Sequence, residues 1–80
     1  MSPEGPVYSV QVGAFQSESA ADQLRDDLAM RYNDVSIQTL MADQTLYRVR
    51  VGRTPDLDSA EKLAKRLREE HFSTFVVRMN

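Results

Sequence analysis

Tyr8-Ser9-Val10-Gln11-Val12-Gly13 returns as Tyr47-Arg48-Val49-Arg50-Val51-Gly52, 39 positions further on (8 to 47). The echo continues at the same offset: Ser17 falls on Asp56, Ala21 on Ala60, Leu24 on Leu63 and Leu28 on Leu67. Each copy reads as a strand, a glycine and an amphipathic helix. A solenoid needs at least about three repeats to bury a continuous core. Two copies must instead close on each other, as one folded unit with an approximate internal two-fold.

Working outward from the repeat, residues 7–13 alternate, with Tyr8, Val10 and Val12 on one face and Ser9 and Gln11 on the other. Gly13 is expected to end this strand. A helix over 17–31 starts at Ser17, whose hydroxyl can accept from a first-turn amide, and carries Ala21, Leu24 and Leu28 on one stripe. Asn33-Asp34 breaks it. The second strand, 35–41, sets Val35, Ile37 and Thr39 against Ser36, Gln38 and Leu40. A short polar link over 42–45 favours an antiparallel hairpin. The third strand, 46–52, sets Tyr47, Val49 and Val51 against Leu46, Arg48 and Arg50, and Pro55 cannot continue it. Asp56 or Asp58 caps the second helix, the latter with capping-box spacing to Glu61. Ala60, Leu63, Ala64 and Leu67 form its stripe. The fourth strand, 74–79, is nearly all apolar, so alternation leaves its facing open.

The order βαββαβ, with right-handed crossovers, gives an α+β fold, the ferredoxin-like plait. The expected sheet has four strands and is of antiparallel type, in the order 4-1-3-2, with both helices on one face; the two repeated strands are central and expected to run parallel to each other. The tyrosine–valine face packs on the helices. The opposite face, with Ser9, Gln11, Leu46, Arg48 and Arg50, is left uncovered.

Composition is consistent with one small domain. The 80 residues are 41% hydrophobic and 28% charged, with no cysteine and a net charge of −2. No global basic field draws the chain to nucleic acid or anionic lipid, and no apolar run approaches the ~20 residues of a membrane span. The absence of cysteine leaves the redox compartment open. Residues 1–6 read as the start of an expressed fragment or a linker remnant, ahead of a domain over 7–80.

Catalysis finds no support. His71 has no second histidine or cysteine with which to hold a metal; it reads as a helix C-terminal residue favoured by the dipole. Asp22, Asp26, Asp27, Glu69 and Glu70 lie on helix faces expected to be wet, not in a buried acid–base pair. Gly13 and Gly52 are isolated and make no phosphate loop. No catalytic residue, metal site or cofactor is therefore expected. The uncovered face is the better candidate. Gln11, Arg48 and Arg50 are planar multi-donor groups on neighbouring strands, and Leu46, with Phe75 or Val77, adds apolar surface. That combination suits a sugar, with hydroxyls at its rim and C–H groups on its face. The competing reading makes the two arginines solubilising charges only.

The pair formed by Val10-Gln-Val-Gly-Ala-Phe15 and Tyr47-Arg-Val-Arg-Val-Gly52, each followed by a helix, resembles the SPOR (sporulation-related repeat) domain over about residues 7 to 79. The segment 44–51 is similar to the SPOR tail of RlpA-type lytic transglycosylases. The resemblance implies a non-catalytic, monomeric module that binds peptidoglycan glycan strands denuded of stem peptides. It also implies targeting of a parent protein to the bacterial division septum, in the periplasm or cell envelope, without nucleic acid or direct membrane contact. Gln11 and Arg48 match polar positions that face the glycan. Leu46 stands where an aromatic is common and Ala14 where serine is common. Val77 matches an apolar position of the fourth strand, with Phe75 adjacent on the same side, and Ser9 and Arg50 complete the face. The alternative is an RNA-recognition-type module, which binds single strands through aromatics on the open face of the same plait. The acidic balance and the inward parity of Tyr8 and Tyr47 weigh against it.

Overall fold

The computed structural model describes residues 5–79. Residues 1–4 of the expected lead-in, and Asn80 at the end of the expected domain, lie outside the described residues. Along the chain run β1 (Tyr8–Phe15), α1 (Glu18–Ala29), β2 (Val35–Met41), β3 (Thr45–Thr54), α2 (Leu57–Glu69) and β4 (Phe75–Arg78). The strands form one sheet in the order β2-β3-β1-β4, the expected 4-1-3-2 read from the other edge.

All three strand pairs are antiparallel, which corrects the expectation that the repeated strands run parallel. The connections explain it. Helix α1 carries the chain back, so β2 runs in the same direction as β1. The hairpin then reverses the chain, and β3, slotted between the two, opposes both.

Local chemistry sets the helix ends. The Ser17 hydroxyl accepts from the Ala20 N–H at 3.2 Å. Asp56, which the repeat aligns with Ser17, accepts from the Ser59 N–H at 2.7 Å, so Asp56 rather than Asp58 is the cap. The Ser59 hydrogen bonds, backbone first, hold the Asp56 carboxyl below its ordinary range. At the other end of α2 the Phe72 N–H donates to the Leu67 carbonyl (3.1 Å) and the His71 N–H to that of Arg68 (2.9 Å). This is the Schellman arrangement, with His71 in the left-handed position at φ 73. Histidine is strained there, so His71→Gly should stabilise the domain by about 1 kcal/mol or less and raise the melting midpoint by a few degrees. A lowered midpoint would show that the imidazole's attraction to the helix dipole outweighs the backbone strain.

The core lies between the helices and one sheet face. Val10, Val12, Val49 and Val51 meet Ala21, Leu28, Ala64 and Leu67, and Phe15, Leu24, Ile37, Tyr47, Leu63, Phe72 and Val76 pack around them. Ala60 is fully buried as well. The alanines let the helices approach the sheet closely. Tyr47 packs against this core, whereas Tyr8, expected there too, is half-buried and not among the residues packed on it. Arg31 and the Tyr32 hydroxyl both donate to Glu70, fastening the end of α1 to the end of α2.

Candidate functional site

Two irregularities in the β1–β3 ladder decide which side chains reach the uncovered face. Between Gln11 and Gly13 the first strand carries an extra residue, Val12, against the single step from Arg50 to Val49. Strict alternation would turn Phe15 outward and Ala14 inward. The bulge reverses this: Phe15 pairs with Tyr47 on the core side, and Ala14 pairs with Arg48 on the open side. A second irregularity, between Tyr8 and Val10, places the extra residue on β3, where Gly52 has φ +83. Neither glycine ends its strand, contrary to expectation: β1 continues to Phe15 and β3 to Thr54.

The registers then align Phe75, Gln11, Arg50 and Ser36 in one row across all four strands. Ala14, Arg48 and Gln38 form the next row, and Leu46 pairs with Leu40 in the one nearest the hairpin. Strands lie ~4.8 Å apart, so a four-strand row is about 14 Å wide, and alternate residues on a strand are roughly 7 Å apart. The face therefore offers planar donors in its centre. Apolar surface flanks them, from Phe75 (69% exposed) on one edge and Leu40 with Leu46 near the other.

Alternation had left the facing of β4 open. Its ladder settles it: Val76 pairs with Val10 on the core side, and Phe75 and Val77 turn outward. Gln11, Arg48, Arg50, Leu46 and Val77 are half-buried rather than freely solvated, and Ala14 is exposed. Ser9 is 1% exposed; its hydroxyl is spent on the Val51 carbonyl at 3.0 Å, so it serves the sheet rather than a ligand. Arg50 carries the clearest physical signal. Its Nε is buried without a hydrogen-bond partner among the described residues. Burial, and secondarily Arg48, lower its pKa from the ordinary arginine value. A buried cationic donor left unpaired is costly. The enclosed Nε has no accessible surface for a ligand; the residue as a whole is half-buried, so it is the terminal guanidinium nitrogens that are available to an acceptor on this face.

Gln38 and Leu40 belong to this surface and were not among the expected site residues. Their signal was present in the alternation of β2, but only the hairpin register sets them beside Arg48 and Leu46. Among the described residues, no group of three metal-ligating side chains converges, and no helix is long and apolar enough to cross a membrane.

Comparison with known proteins agrees with this geometry. The family model described as "SPOR domain" matches residues 4–78. The peptidoglycan-binding domain of the B. subtilis cell wall lytic enzyme CwlC superposes with a TM-score of 0.72 at 28% identity, covering 100% of this chain and 98% of that one. The RlpA SPOR domain from Pseudomonas aeruginosa gives 0.78 at 29% identity, covering 91% and 99%. No curated protein matches the chain significantly.

Proposed function

The chain belongs to the SPOR domain family, and from that membership we propose that it binds peptidoglycan glycan strands through its uncovered sheet face, as a non-catalytic module. The observation that carries this reading is the row of Phe75, Gln11, Arg50 and Ser36. Gln11 and Arg50, with Arg48 one row away, can each hold several hydroxyl or acetamido oxygens. Phe75, Val77, Leu46 and Ala14 offer low relief on which sugar C–H faces can lie. The binding unit spans residues 7–80, with 1–6 as its lead-in, and acts as a monomer in the cell envelope.

The same face favours strands freed of stem peptides. Removing the peptide from a muramic acid leaves a lactyl carboxylate where a neutral, bulky amide stood. Arg48 and Arg50 are like charges on one strand, and a carboxylate between them offsets their repulsion. Such strands accumulate where amidases act during division, so the domain would carry its parent protein to the septum.

A pulldown with purified sacculi, before and after amidase treatment, tests this. Amidase should increase binding. Arg48→Ala should weaken it about tenfold, the loss of one charge-assisted contact, and shift the melting midpoint by only a few degrees. Lys65→Ala, an exposed charge on α2, should have little effect. Equal losses from the two variants would mean that binding follows net charge, and the face assignment would fall. The same incubations should release no soluble fragments; turnover that survives repurification would contradict a purely binding role.

A further inference from the structure

On the helix side of the sheet, away from the glycan face, the end of α1, the end of β3 and the flank of α2 enclose a cleft of about 280 Å³. Arg31, Arg53 and Arg66 line it, together with Asn33 and a single acid, Asp34. In a chain where 12 acidic residues outnumber 10 basic ones, three arginines against one aspartate is a local reversal of charge.

The arginines are not equivalent. Arg31 is neutralised by Asp27 at 3.3 Å and by Glu70. Arg53 and Arg66 form no ion pair among the described residues, and both side chains are exposed. The Arg66 guanidinium lies 5.4 Å from the centre of the Tyr32 ring, a contact that orients it. Arg66 lies near enough to Glu70 to contribute, after the Tyr32 hydrogen bond and Arg31, to holding that carboxyl below its ordinary range. Two guanidinia without a direct ion pair therefore line one cleft from separate elements, Arg53 the less compensated of the two, with the Asn33 amide as a further donor.

We propose that this cleft is a second binding site, for a phosphoryl group. A carboxylate is planar and is satisfied by one guanidinium fork. A phosphoryl group presents oxygens in several directions and can accept from Arg53, Arg66 and Asn33 together. The shared chemistry is an anionic phosphate oxygen, whether of inorganic phosphate, a polymer phosphodiester or a lipid headgroup. The site stands apart from the glycan face and does not depend on that reading.

Titration of the full 80-residue chain with inorganic phosphate at constant ionic strength, followed by NMR of backbone amides and arginine Nε–H groups, tests the proposal. Saturable shifts are expected at Asn33, Arg53 and Arg66. An equal concentration of acetate should give much weaker shifts. Arg53→Ala should weaken phosphate binding about tenfold and leave sacculus binding unchanged. Asp34→Asn removes the opposing charge at φ 56, a conformation asparagine tolerates, and should tighten it. Soluble poly(glycerol phosphate) and phosphatidylglycerol vesicles separate the sources: Arg53-dependent binding of either supports the site and names its partner class. No saturable shift, an equal response to acetate, or phosphate binding undiminished in Arg53→Ala overturns the proposal.

Discussion

Replacing Leu67 with alanine is expected to destabilise the domain by about 3–5 kcal/mol, and Leu28→Ala by a similar amount. Both side chains are fully buried, and they press on the valines of the central strands from opposite halves of the internal repeat. Truncating either leaves a cavity that the fully buried Ala21, Ala60 and Ala64 are too small to fill. Leu24 and Leu63, the repeat-related pair one turn earlier, are only partly buried at the margin of the core. Their alanine variants should cost about half as much. Denaturant melts of the four variants measure the contrast, which is large against the ~5–10 kcal/mol typical of so small a domain. If Leu24→Ala cost as much as Leu67→Ala, the core would lie further toward the start of α1 than described.

That contrast marks how far a one-dimensional pattern reaches. Spacing placed all four leucines on the helix stripes and made them look equivalent. Periodicity reports which side of a helix faces inward; it does not report how far a position lies from the edge of a sheet. The offset of 39 did more than spacing alone. It paired Ser17 with Asp56, and both are caps. The element order, the sheet order and the side on which the helices pack were all legible. The antiparallel type of the sheet was legible too; the parallel direction expected for the two central strands was not consistent with it, because the order β1, α1, β2, hairpin, β3 makes them antiparallel. On the candidate face, Gln11, Arg48, Arg50 and Leu46 followed from alternation because β1 as far as Gln11, and β3 as far as Val51, are regular. Ala14 did not follow from it. Its outward position depends on the bulge at Val12, and a bulge shifts parity without leaving a mark in hydrophobic period. Only the family resemblance pointed to Ala14. The unpartnered Nε of Arg50 was also beyond reach, because it reflects the burial of one atom, which spacing does not report. The arginine cleft joins residues from three separate elements, so no local pattern announces it.

The two glycines that close the repeated motif should respond differently to substitution, and Gly52→Ala is the second large effect expected. Gly52 has φ +83, and a Cβ built there would lie 2.5 Å from Leu63 Cδ2. The methyl is the far end of a side chain and can move, so the clash alone should cost about 1 kcal/mol. The backbone cannot escape so easily. The Gly52 N–H donates to the Asp34 carbonyl at 3.0 Å, tying the loop after α1 to β3, and the neighbouring ladder irregularity holds the positive φ. Adding about 1–2 kcal/mol for that conformation gives a total of about 2–3 kcal/mol. At Gly13 a Cβ would meet the Phe15 ring at 3.0 and 3.2 Å and Leu24 at 3.5 Å, with no positive φ to strain it. Gly13→Ala should therefore cost about 1 kcal/mol or less. Chemical synthesis of an 80-residue chain permits a sharper comparison. D-Alanine at position 52 favours positive φ and directs its methyl away from the site that meets Leu63, so the D variant should retain most of the wild-type stability while the L variant loses it. Equal melting midpoints for the two would show that neither the backbone conformation nor the approach of Leu63 demands glycine there.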